Sequence, residues 1–183
     1  MVSYKIEVIS LKNKTIQKIS LSALFTALIF VATYFIAIPM PAVGFINLGD
    51  AFVLLSAWIL GPIGAICAGV GSALADVMLG YAIYAPATLV IKASMAIVSY
   101  FTFKAFKKLT NQPIGFIISA LIAEVVMILG YFLFEGVLYG FATAAVNILF
   151  NAIQGGAALV VCNVVINILL ANKAVDKYVS SLK

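Results

Sequence analysis

The sequence predicts an all-α membrane protein of six transmembrane helices. Of its 183 residues, 65% are hydrophobic and only 9% are charged, and the mean hydropathy is +1.21. Soluble domains carry about 25% charged residues. Charge-free runs cover residues 19–49, 51–75 and 136–172, and one span needs about 20 apolar residues. Lipid is therefore the expected surrounding for most of the chain.

The chain is expected to form a single transmembrane domain over residues 1–183. Residues 1–17 would be a cytoplasmic N-terminal segment and residues 173–183 a cytoplasmic tail. Six helices put both termini on one side of the membrane, and lysine-rich short loops stay in the cytoplasm. The lysines that this topology gathers on that side are Lys5, Lys12, Lys14, Lys18, Lys104, Lys107, Lys108, Lys173, Lys177 and Lys183.

Prolines, glycines and polar stretches divide the apolar sequence into helices. The first ends at the Pro39-Met40-Pro41 breaker, and Gly61-Pro62 makes a tight turn between the second and the third. The second is short for a full span, so it is expected to be tilted or partly re-entrant. The first two helices are predicted at about 19–38 and 48–60, and the third runs from the Gly61-Pro62 turn to about 80. The fourth is predicted at about 87–105 and the fifth at about 114–134. Residues 135–139 lead to the sixth helix, which ends before 173.

Polar residues at membrane depth are the candidates for function. An ionisable side chain costs about 2.5 to 3.5 kcal/mol at the centre of a helix on insertion scales, so such groups usually face a bundle interior or a cavity. Asp76 lies towards the end of the third helix, Lys92 about two turns into the fourth and Glu124 near the middle of the fifth. Asp50 and Glu135 flank helix ends on the outer side.

Helical spacing indicates that several of these groups share a face, because residues 3, 4, 7 or 11 apart project together. Glu124, Tyr131 and Glu135 are related by steps of 7 and 4. A second stripe of three amide side chains, related by steps of 4 and 3, follows on the sixth helix. Its members are Asn147, Asn151 and Gln154. On the third helix, a further stripe aligns Gly69, Ser72, Asp76 and Gly80.

The three stripes have two interpretations. One is an outward-facing pocket for a small polar or aromatic ring, to which Asn47, in the turn before the second helix, and Tyr84, in an outer loop, would contribute. The other is structural, because amides join packed helices at roughly 0.6 kcal/mol each and an Asp76–Lys92 ion pair would serve the same end.

Other features limit the function classes. The chain has two separate cysteines and no histidine, so it lacks the ligands for a metal cluster. It has no phosphate-binding loop or dinucleotide fingerprint, so any ATP-derived energy would come from partners. We expect no cofactor, no enzymatic activity and no nucleic-acid partner. A stand-alone channel or facilitator for a small polar solute remains the alternative, and it would need polar residues towards the inner mouth, where Asn163 and Asn167 are the main ones.

The order of five short segments resembles the substrate-binding S components of energy-coupling factor (ECF) vitamin transporters. The segments are residues 23–27 (ALFTA), 46–50 (INLGD), 71–76 (GSALAD), 84–88 (YAPAT) followed by Lys92, and 151–156 (NAIQGG). The nearest branch contains riboflavin, hydroxymethylpyrimidine/pyridoxine and α-ribazole carriers.

This resemblance implies a multi-pass subunit of a bacterial plasma membrane that captures a vitamin from outside. It would work with a transmembrane coupling protein and two cytoplasmic ATPases. Ala23 and Ala27, small residues that permit close helix packing, map onto the family's docking surface for the coupling protein. The resemblance also supports Lys92, Tyr131 and Glu135 as ligand contacts, together with the amide stripe of the sixth helix.

Overall fold

The computed structural model describes residues 14–107 and 109–182. The predictions for residues 1–13, Lys108 and Lys183 lie outside these ranges. The chain is an all-α membrane protein, as predicted. Its elements are α1 (Lys14–Phe35), β1 (Ile38–Pro39), β2 (Phe45–Ile46), α2 (Gly49–Leu60), a 3-10 turn (Gly61–Ile63), α3 (Gly64–Met78), α4 (Ala85–Phe106), α5 (Gln112–Tyr139), α6 (Phe141–Ala171) and α7 (Lys173–Leu182).

Five helical stretches of the described chain are long and apolar enough to cross a membrane: Thr15–Phe35, Gly49–Met78, Ala85–Phe106, Gln112–Tyr139 and Phe141–Ala171. The second of these joins α2 and α3 in sequence, but the two helices fold back on each other. Ser56 Oγ donates to Gly64 O at 3.2 Å, and a Cβ on Gly64 would lie 2.6 Å from the Ser56 carbonyl carbon. The bundle therefore contains six embedded helices.

The second helix is short, as predicted. Its 12 residues extend about 18 Å at about 1.5 Å per residue, against a hydrocarbon core of about 30 Å. Eleven of the 12 are buried, so α2 lies inside the bundle rather than against lipid.

The chain after α1 differs from the prediction. The helix ends at Phe35 rather than at 38, and Ile38 and Pro39 pair antiparallel with Ile46 and Phe45. The physical reason is proline, because the ring of Pro39 disfavours the helical conformation of the residue before it. Residues 38–46 thus form a small ribbon, which we call the lid hairpin.

The end of the fifth helix was also predicted wrongly. Residues 135–139, predicted to lie between the fifth and sixth helices, are helical. The last residue of α5 is Tyr139, and Gly140, whose φ is +87°, caps the helix. Glycine adopts this left-handed conformation at a helix end without steric cost. Glu135, predicted to flank the outer end of this helix and to share a face with Glu124 and Tyr131, is 1% exposed inside the bundle.

The two ends of the bundle differ in character. One end, the lysine end, carries the exposed side chains of Lys104, Lys107, Lys173 and Lys177. The predicted tail folds there as α7, whose Val179 is buried against the core. Beneath it lies an aromatic cluster in which the Phe116 ring centroid is 4.5 Å from that of Trp58 and 4.4 Å from that of Phe103. The other end, the cavity end, holds the candidate site.

Candidate functional site

A small polar cavity lies beneath the lid hairpin and is surrounded by the cavity-end parts of the helices. Its volume is about 20 Å³, which is room for about one water molecule. Eleven of its 14 lining residues have polar side chains, and three lid residues contribute to it. The lining residues are Thr33, Met40, Gly44, Phe45, Asn47, Ser72, Asp76, Tyr84, Thr88, Lys92, Tyr131, Glu135, Asn151 and Gln154.

An ion pair between Lys92 and Asp50 lies at the base of this cavity. Lys92 Nζ contacts Asp50 Oδ1, and the two side chains are 2% and 0% exposed. Gln154 Nε2 donates to Asp50 Oδ2 at 2.5 Å, so both carboxylate oxygens have partners. A buried charge pair is tolerated when its remaining polar atoms are hydrogen-bonded in this way.

The partner of Lys92 is a correction to the sequence-based interpretation. The structural alternative paired Lys92 with Asp76, whereas the structure pairs it with Asp50. The reason is that α2 and α3 form a hairpin, so the first turn of α2 lies beside α4. Asp76 lines the same cavity as Thr88, and Thr88 Oγ1 lies 3.0 Å from Tyr131 Oη. Lys92 Nζ also lies 5.3 Å from the centroid of the Tyr131 ring, a cation–π distance.

Amide side chains of α6 join the bundle to the lid hairpin and to Asn47, the residue that follows it. Gln154 Oε1 accepts from the Asn47 backbone N–H at 2.8 Å. Asn147 Nδ2 donates to Val43 O at 2.9 Å and to Glu135 Oε2 at 2.9 Å. The Phe45 ring of the hairpin also packs against Tyr81, with 4.9 Å between the ring centroids.

Tyr84 closes the side of the cavity near the loop between α3 and α4. Its Oη donates to Glu135 Oε1 at 3.4 Å. Burial raises the pKa of Tyr84 well above its usual range, and the nearby Glu135 carboxylate raises it further. The hydroxyl therefore stays protonated and acts as a hydrogen-bond donor.

The structure brings together most of the residues that the sequence singled out. Asp50 and Asn147 lie behind the cavity wall as hydrogen-bond partners of lining residues. Glu124 does not line the cavity but lies within electrostatic range of Asp50 and Lys92. It packs against Gly155, where an added Cβ would be 3.0 Å from Glu124 Oε2. The eight remaining candidates line the cavity: Asn47, Asp76, Tyr84, Lys92, Tyr131, Glu135, Asn151 and Gln154.

The sequence-based list missed several lining residues. Ser72 was placed on the stripe of Asp76 but not taken as a ligand contact. Thr88 lies one turn before Lys92, so helical spacing was sufficient to find it. Thr33 has no charged residue at helical spacing on α1, and the lid residues Met40, Gly44 and Phe45 depend on a ribbon that the sequence did not predict. In the described part of the chain, no group of three His, Cys, Asp or Glu side chains is placed to hold a metal ion.

Ala23 and Ala27 lie on the opposite half of α1, towards the lysine end, and both are exposed. Ala23 borders a groove of about 630 Å³ between α1 and the start of α3. The other residues of this groove are Thr15, Lys18, Ile19, Ser22, Thr26, Ile63, Ile66 and Cys67. Ala27 lies one turn further along the same helix face.

These features define a multi-pass membrane protein with an enclosed polar cavity at one end of its helical bundle. A family model described as the S component of ECF-type riboflavin transporters matches residues 13–173. The chain belongs to this family of ECF S components, as the sequence resemblance predicted. The family comprises subunits of transporters rather than a class of enzymes.

Two individual proteins and one solved structure are also similar to this chain. An uncharacterised protein of Pyrococcus woesei is 35% identical over 133 residues, which are 72% of this chain and 86% of that protein. The thiamine precursor transporter HmpT of Lactococcus lactis is 28% identical over 145 residues, 78% of this chain and 81% of HmpT. The solved structure of the S component of a bacterial ECF transporter superimposes with a TM-score of 0.65 at 22% identity, covering 87% of this chain and 98% of that one. This last likeness shows a shared fold.

Proposed function

We propose that this chain is the substrate-capturing subunit of an ATP-driven ECF uptake transporter for a small heterocyclic vitamin or vitamin precursor. The observation that carries the proposal is the polar cavity closed by the lid hairpin. The cavity end would face the outside, because the exposed lysines at the other end are typical of the cytoplasmic side. The membrane would be the bacterial plasma membrane.

The charges around the cavity favour a neutral or protonatable ring. Asp50 neutralises Lys92, which leaves Asp76 and Glu135 as the acidic groups that line the cavity. An anionic ligand would meet like charges there. A pyridoxine or hydroxymethylpyrimidine ring is our first candidate, followed by riboflavin and α-ribazole. The naming of HmpT as a thiamine precursor transporter supports the first candidate.

The cavity volume implies a movement of the lid. The cavity of about 20 Å³ accommodates about one water molecule. A ring of these vitamins is several times larger than a water molecule. We infer that the lid hairpin swings outward to admit the ligand, with the Asn47–Gln154 and Asn147–Val43 hydrogen bonds as its latch.

Delivery to the cytoplasm would require partners. We infer a transmembrane coupling protein and two cytoplasmic ATPases, because the chain has no nucleotide-binding motif of its own. The exposed Ala23 and Ala27 would let a helix of the coupling protein pack closely against α1, as small residues do in membranes.

The structure offers little support for a channel. Trp58, Phe103 and Phe116 pack against one another between the cavity and the lysine end. The inner amides that a channel would need turn back on their own helix, since Asn163 Nδ2 donates to Leu159 O and Asn167 Nδ2 donates to Asn163 O, both at 2.8 Å. Neither the aromatic cluster nor these two amides lines a polar path through the bundle.

The first test is to identify bound ligand. The protein would be purified in detergent and denatured, and the released small molecules identified by mass spectrometry. Pyridoxine, hydroxymethylpyrimidine, riboflavin and α-ribazole would then be added singly while the melting temperature is recorded. We expect one of them to be released or to raise the melting temperature, because binding to the folded state stabilises it. No release and no shift with any of the four would refute the proposal.

A pair of α6 variants sharpens this test. Asn151→Ala combined with Gln154→Ala removes two lining amides and should abolish the release and the shift. Asn167→Ala removes an amide that is exposed on the same helix far from the cavity, and it should retain both. Equal loss in both variants would indicate a general effect on α6 rather than a binding site.

A separate test addresses the coupling protein. Ala23→Trp should abolish copurification with the membrane and ATPase subunits while leaving the ligand-induced shift in melting temperature intact. Val160→Trp places the same side chain on an exposed position of α6, where Val160 is 60% exposed, and should leave copurification unchanged. If Ala23→Trp copurifies normally, the docking face lies elsewhere.

A further inference from the structure

Three polar atoms on one wall of the cavity have no hydrogen-bond partner among the residues that the structure describes. They are Thr33 Oγ1 on α1, and Ser72 Oγ and Asp76 Oδ2 on α3. Their side chains are 3%, 1% and 3% exposed, and all three residues line the cavity. We call this group the α1–α3 wall.

The opposite side of the cavity is arranged differently. There Lys92, Gln154 and Tyr84 each have a partner within the chain. An unsatisfied buried polar group costs about 1–3 kcal/mol, and native proteins retain only a few of them, usually for a reason. Three such groups on one wall of one cavity indicate that this wall is completed by something that enters the cavity.

The chemistry of the wall defines what it can accept. The carboxylate oxygen of Asp76 accepts a hydrogen bond, whereas the hydroxyls of Thr33 and Ser72 both donate and accept. A group that satisfies them together must donate one hydrogen bond and accept others, and it must be small, because the free space is that of about one water. A primary alcohol has these properties.

We propose that Thr33, Ser72 and Asp76 form a subsite for a hydroxymethyl group of the ligand. The inference deepens the proposed vitamin-capturing function and rests on it. It also adds α1 and α3 to the binding surface. Because Thr33 lies on the same helix as Ala23 and Ala27, a ligand held at this wall contacts the helix that would dock the coupling protein.

The test compares two ligands on variants of one wall residue. The ligand is the tightest binder among pyridoxine, hydroxymethylpyrimidine, riboflavin and α-ribazole, and its matched analogue carries a methyl group or hydrogen in place of the hydroxymethyl group. Affinities are measured by isothermal titration calorimetry in detergent. We expect the analogue to bind the unaltered protein at least about tenfold more weakly, since one hydrogen bond contributes about 0.5–1.5 kcal/mol and a tenfold change corresponds to about 1.4 kcal/mol.

Ser72→Ala should weaken binding of the hydroxymethyl compound about two- to tenfold, in line with one lost hydrogen bond, and leave binding of the analogue unchanged. Thr33→Val, which preserves the shape of the side chain, should behave in the same way. Without ligand, neither variant should lower the melting temperature, because neither hydroxyl has a partner within the described chain.

Ser99→Ala is the matched control. Ser99 Oγ on α4 is also buried and without a partner in the described ranges, but Ser99 does not line the cavity. Its loss should change neither affinity. This control separates the effect of removing any buried hydroxyl from the effect of removing one that contacts ligand.

Two results would overturn the subsite. If Ser72→Ala weakens both compounds equally, or weakens neither, the wall does not contact the hydroxymethyl group. If Ser72→Ala and Thr33→Val lower the melting temperature without ligand, the hydroxyls have a structural role. These results differ from failure of the proposed function itself, in which none of the four vitamins and precursors binds the unaltered protein.

Discussion

The lysine end and the cavity end of the bundle differ in what surrounds their buried polar groups. At the lysine end, Trp58 Nε1 donates to Ser119 Oγ at 3.0 Å within an aromatic cluster. At the cavity end, the atoms of the α1–α3 wall have no partner in the part of the chain that is described. Within the described ranges, unpartnered buried oxygens also occur in the lysine half, on Ser22, Ser99 and Asn163. The cavity end is therefore distinguished by the place of such atoms, which line a cavity there.

The largest effect is expected from breaking the buried ion pair. Lys92→Met leaves Asp50 charged and unpaired, and removing one member of a buried pair costs about 3–5 kcal/mol. The melting temperature in detergent should fall sharply. The double variant with Asp50→Asn and Lys92→Met should recover much of the loss, because no buried charge remains unpaired.

The double variant is the decisive comparison for the cavity end. If it is as unstable as Lys92→Met alone, the loss comes from packing of the lysine stem rather than from the uncompensated carboxylate. Ligand binding should be lost in both variants, since Lys92 lines the cavity.

A smaller effect is expected at the lysine end. Ser119→Ala leaves the indole N–H of Trp58 buried without its acceptor, which costs about 1–3 kcal/mol. The melting temperature should fall while the affinity for ligand, measured by calorimetry, remains unchanged. If the free energy of ligand binding falls by more than the free energy of unfolding, the lysine end contributes to ligand binding. That result would contradict the view that the two ends act independently.

The smallest effect is expected from Glu124→Gln. Neither carboxyl oxygen of Glu124 has a partner within residues 14–107 and 109–182, so replacing one of them by an amide nitrogen removes no hydrogen bond. The melting temperature should stay the same or rise slightly, and ligand affinity should be retained because Glu124 does not line the cavity. A large fall in either quantity would show that Glu124 has a binding partner, as its place among the sequence-based candidates implied.

Much of the site followed from helical spacing. The stripe of Asn147, Asn151 and Gln154 on α6 is buried as predicted, and so are Glu135 and Asp76. Such stripes depend only on 3.6 residues per turn, which is a local property of the chain. The lid hairpin was missed because strands of two residues have too few positions to show an alternating pattern.

The amino-acid sequence by itself determined that lipid surrounds the chain, that the fold class is all-α, and which polar residues share a helix face. Runs of apolar residues require lipid, and backbone groups in lipid are satisfied within helices. The tertiary structure decided which polar groups meet. The α2–α3 hairpin places Asp50 rather than Asp76 against Lys92, and the packing of α1 on α3 brings Thr33 beside Ser72. Pairing across helices depends on how each helix is rotated and where each turn reverses, and no local spacing contains that information.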